Sequence, residues 1–66
     1  MALYGTNTER AIKYAMESCA RRERNMIVWR IEDRVGVTSD LPEGAKLIGT
    51  AVAVEGRAAA RWEPAP

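Results

Sequence analysis

Sixty-six residues with one cysteine and no histidine exclude an intrachain disulfide and a Ser-His or Cys-His triad, and they argue against a four-ligand zinc site. Ten basic against nine acidic residues leave a net charge of +1, far from the basic excess of a typical nucleic-acid binder and from the acidic excess of a nucleic-acid mimic. A chain this short buries only about 60 % of its unfolded surface, so its core is thin, and the staple left to it is a second copy of itself.

Residues 1–5 read as a lead-in. Thr6 followed three residues later by Glu9 has the spacing of a capping box, in which hydroxyl and carboxylate each satisfy a backbone amide. From there a 3/4 spacing predicts a helix over 7–24. Ile12, Ala15, Met16 and Cys19 lie on its apolar stripe, and Arg10, Lys13, Glu17, Arg21 and Glu23 lie opposite. Arg21, Arg22 and Arg24 fall in the last turn, where cations suit the negative end of the helix dipole. Asn25 has the chemistry of a left-handed cap.

The period then changes to two. Met26 to Glu32 alternates, with Ile27, Trp29 and Ile31 on one face, taken as the helix-facing one, and Met26, Val28, Arg30 and Glu32 on the other. Asp33 and Arg34 make a turn, and Val35 to Thr38 returns as a hairpin partner. Residues 39–44 carry turn chemistry, with Asp40 to start, Pro42 to fix φ and Gly44 to accept a positive φ. A third strand runs from Ala45 to Glu55. Residues 57–62 suit a short helix or a fourth strand equally, and 63–66 read as a frayed tail. The whole chain is then a single α+β domain, one N-terminal helix packed on a three- or four-stranded, mainly antiparallel sheet in the order α-β-β-β.

Among the groups that could carry chemistry, Cys19 sits on the apolar stripe and reads as a buried small hydrophobe, with activation by nearby Arg22 as the alternative. Glu32 and Asp33 are adjacent carboxylates at a turn between Arg30 and Arg34, the setting of solvated charge. The glycines stand singly, so no phosphate-cradling loop is present. No catalytic residue, cofactor or metal site is expected.

The candidate partner-binding residues are Arg21, Arg22, Arg24, Arg30, Arg34 and Trp62, because guanidinium forks and tryptophan are enriched where binding energy concentrates. The small residues Gly36, Gly49, Ala51 and Ala53 suggest a smooth second sheet face open to a partner or a second copy. A homodimer is one expectation. The lone thiol and the lack of a signal-like or membrane-spanning segment suggest a cytoplasmic protein. The function these features favour is a non-catalytic, protein-binding accessory or inhibitor. Phages and mobile elements encode short proteins of that kind, anti-CRISPR and anti-restriction proteins among them. The alternative is a small nucleic-acid-binding or regulatory module that uses the Arg21–Arg24 cluster.

Overall fold

The computed structural model describes the backbone of residues 2–3 and all of residues 7–66. In chain order the elements are β1 (Ala2–Leu3), α1 (Thr8–Arg22), β2 (Met26–Ile31), β3 (Arg34–Thr38), β4 (Lys46–Val54) and β5 (Ala59–Pro64). The strands form one sheet in the order β1-β3-β2-β4-β5, and every adjacent pair is antiparallel. Past the two-residue β1, the chain is α-β-β-β-β. The expected class is present, with four strands after the helix.

The helix is bounded by side-chain and backbone chemistry at both ends. Asn7 is its N-cap: its Oδ1 accepts the Arg10 N–H at 3.0 Å, while its carbonyl accepts the Ala11 N–H. The cap is therefore one residue later than the Thr6–Glu9 spacing suggests, and Thr6 lies outside the described residues. At the other end the left-handed residue is Glu23, with φ 54°, and the helix stops at Arg22. Asn25, expected to hold that cap, instead accepts the Ala53 N–H through its Oδ1 at 2.9 Å and ties the start of β2 to β4.

The faces of the sheet are the reverse of the expectation. Met26 and Val28 of β2 lie under the helix with Val35, Val37 and Ala51, packed on Ala11, Ala15 and Cys19. Ile27 and Trp29 point to the opposite face, and Ile31 is 37 % exposed at its end. Size misleads here, because the helix stripe is itself built of small residues. Alanines and a cysteine let the helix pack on Ala51 and Ala53, while Trp62 covers Gly49 on the same face and Trp29 covers Gly36 on the other, so the small residues do not form one smooth face free for a partner. Alternation along β4 also breaks. Val28 pairs with Gly49 but Trp29 pairs with Leu47, so Ile48 is the extra residue of a bulge and it packs against the helix-side core.

β3 and β4 flank β2 and run in the same direction. Thr38, the last residue of β3, lies opposite Ile27, whereas Lys46, the first of β4, lies opposite Arg30. Residues 39–45 must therefore cross β2. With α1 over one face, the segment crosses on the other, which is also the right-handed route. This explains why Trp29, on the face away from the helix, is only 2 % exposed. Its indole N–H donates to Thr38 Oγ1 at 2.9 Å, and that hydroxyl donates to the Asp40 carbonyl. Trp29 thus packs in the interior, but on the far side of the sheet from the expected core.

Residues 59–64 are a strand, which settles the helix-or-strand ambiguity of 57–62. The reading of 63–66 as a frayed tail does not hold for its first residues. Glu63 and Pro64 continue β5, and the Ala65 N–H donates to the Ile48 carbonyl at 2.9 Å.

Candidate binding surface

The cations singled out in the sequence separate into two groups. Arg21, Arg22 and Arg24 are exposed at the end of α1 and in the turn after it. Arg30 and Arg34 lie at the β2–β3 tip, where Ile31 is paired with Arg34. The strand between Met26 and Arg30 spans about 13 Å at 3.3 Å per residue, so the two groups face different ends of the molecule. Arg30 is also engaged locally: its Nε donates to the Glu32 carbonyl at 2.6 Å, bracing a turn in which Glu32 holds φ 55°.

At the helix end, Arg22 and Tyr14 form one wall of an open groove of about 540 Å³. Its apolar floor is Met26 and Val37, and its other wall is Thr38, Ser39, Asp40 and Pro42. Two elements distant in sequence make it, the helix and the start of the segment that crosses β2. Nothing in the residue pattern points to that meeting, so Tyr14, Thr38, Ser39 and Asp40 escape a reading of the sequence. Among the described residues the one ion pair is Arg61 Nη2 to Glu63 Oε2 at 2.6 Å, on β5. None of the three guanidiniums at the helix end forms an ion pair with a carboxylate among the described residues.

Trp62 belongs to neither arginine group. It pairs with Ala51 on the helix side of the sheet, and its indole lies on Gly49, where a Cβ would overlap the ring. The residue is half-buried against the core.

Cys19 is fully buried, and its thiol donates to the Ala51 carbonyl at 3.3 Å. Burial pushes its pKa up, and the Met26 backbone bond, which favours the thiolate, opposes that only in part. The alternative of a thiol activated by Arg22 is therefore disfavoured, since the thiolate is the reactive form. Among the described residues, no three Cys, Asp or Glu side chains gather as a metal site requires, and no helix is long and apolar enough to cross a membrane. Comparison with family models, with curated proteins and with solved structures returns no match.

Proposed function

We propose that this chain is a non-catalytic, protein-binding accessory or inhibitor that engages an acidic segment of another protein at the arginine-bearing end of its helix. The observation that carries the reading is the juxtaposition of three exposed guanidiniums, none in an ion pair among the described residues, with an open groove that has an apolar floor and hydroxyl-bearing walls. An extended segment laid along that groove would place apolar side chains on Met26 and Val37. Its carboxylates would meet Arg22 and its neighbours in charge-assisted, bidentate geometry. The near-neutral balance of the chain, with a net charge of +1, weighs against a nucleic-acid strand, whose binding draws on a broad basic surface.

Affinity capture from a bacterial lysate, with and without nuclease, is the direct test. The wild-type chain is compared with a triple variant carrying Arg21→Glu, Arg22→Glu and Arg24→Glu. A protein that is retained after nuclease and lost with the triple variant supports the reading. Recovery that depends on nucleic acid transfers the function to nucleic-acid binding. Capture that the charge reversal leaves unchanged removes the helix end as the contact surface.

A further inference from the structure

The β5 edge is remote in sequence from the arginine-bearing end of the helix. Among the described residues β4 is the one strand beside β5, so the outer side of β5 is an open sheet edge. The Ala53 N–H points toward β2, since it donates to Asn25 Oδ1. Alternation along β4 then turns Thr50, Val52 and Val54 toward β5. Their partners Glu63, Arg61 and Ala59 point inward in turn, and the backbone groups of Ala60 and Trp62 point outward. Pro64 has no N–H, so it can accept but not donate, and it ends the ladder.

Beside this edge lies a half-buried apolar seam. Ile12 and Met16 of the helix, with Ala60 and Trp62 of the strand, all pack against the core while remaining partly exposed. The charged residues of the strand, Arg61 and Glu63, lie on the opposite face of the sheet and alternate in sign two residues apart. That spacing is self-complementary under a two-fold axis. When two β5 strands meet antiparallel with Trp62 opposite Trp62, each Arg61 lies opposite a Glu63 of the other copy. Centring the pair on residue 61 would instead set like charges face to face, which destabilises a strand pair.

We propose that two copies of this chain associate through their β5 edges in that register, forming one continuous sheet with both tryptophans and both Ile12–Met16 stripes along the seam. Trp62 N–H of each copy bonds to the Trp62 carbonyl of the other, and each Ala60 N–H bonds to the opposite Pro64 carbonyl. The net charge of +1 opposes the association little. Isologous pairing uses the β5 edge of both copies at once, so this contact stops at two.

Sedimentation equilibrium of the purified full chain across a concentration series tests this. The wild type is expected to move from monomer to dimer. Arg61→Glu and Glu63→Arg, each alone, place like charges across the seam and are expected to weaken dimerisation at least tenfold. The double variant carrying both changes restores opposite charges and is expected to recover wild-type association. Both side chains are exposed, and far-UV circular dichroism checks that each variant keeps its fold. A wild type that stays monomeric at the highest concentration overturns the proposal. So does a dimer indifferent to the single reversals, or one that the double variant fails to restore.

Discussion

The two faces of the sheet each seat one tryptophan on one glycine, and the two seats differ in what surrounds them. Trp29 lies on Gly36 beneath the segment that crosses β2, with its N–H donated to Thr38 and almost no surface left to solvent. Trp62 lies on Gly49 beside the helix, at the edge strand, and stays half-buried. In both cases the missing Cβ lets a flat ring approach the backbone at its own face. The first ring is sealed by the protein's own chain, so its burial belongs to folding. The second is sealed on one side alone, which leaves apolar surface exposed at the edge where we propose that a second copy docks. The same local device thus gives a sealed ring in one place and a half-exposed ring in the other, and the covering layer decides which.

The largest effects are expected at the sealed seat. Removing a buried aromatic ring costs about 3–5 kcal/mol, close to the whole stability of a domain this small. Trp29→Ala is therefore expected to leave the chain unfolded, or nearly so, in urea titrations followed by far-UV circular dichroism. Gly36→Ala is expected to be comparably damaging, because its Cβ would overlap a ring that has no room to move. If Trp62→Ala proves as harmful as Trp29→Ala in the monomer, the distinction between the two seats fails.

At the open seat the losses are smaller and coupled. Trp62→Ala is expected to cost about 1.5–3 kcal/mol, since a half-buried ring has less to lose than a sealed one. A Cβ at Gly49 would meet both the Trp62 ring and the Glu63 carbonyl, the latter at 2.8 Å. Truncating the tryptophan therefore relieves part of the Gly49→Ala penalty and leaves the carbonyl overlap. A double-mutant cycle measured by urea unfolding is expected to give a coupling of about 0.5–3 kcal/mol in the sense of partial rescue. Strict additivity would mean that the ring does not rest on that glycine.

The elements were legible in the sequence because each rests on local chemistry. The 3/4 stripe from Ala11 to Cys19, the period of two after Met26 and the turn residues around Pro42 all survive in the structure. The Ala45 N–H, for instance, bonds to the Pro42 carbonyl at 3.1 Å. What was not legible is relational. Ile27 and Trp29 look like core beside Met26 and Val28, and they are set on the other face because a small-residue helix fits a small-residue sheet. Trp29 is buried all the same, by a crossing segment whose path follows from strand order and not from any residue pattern. The bulge at Ile48 and the groove between Tyr14 and Asp40 are products of the same long-range arrangement. For the arginines, sequence proximity was misleading in the opposite way, since the length of β2 sets Arg30, and Arg34 at the start of β3, away from the helix end.

The smallest expected effect reports on how dry the helix side of the sheet is, on which the contrast between the two seats depends. Cys19 lies between the helix and Ala51 in that layer, and burial holds its pKa above the ordinary value. An unfolded cysteine ionises near 8.5, so between that value and the raised native one the folded chain binds more protons than the unfolded chain. The Cys19 contribution to stability is therefore complete below about pH 8.5 and declines as pH rises from there through the native pKa. Cys19→Ala removes the titration and leaves a small cavity. Urea midpoints of wild type and variant, compared from about pH 7 to about pH 9.5, are expected to converge as the wild type loses its advantage. Parallel profiles would mean that the thiol is as well solvated in the native state as in the unfolded one. The helix would then not shield that layer, and the sealed character of the sheet would belong to the Trp29 face alone.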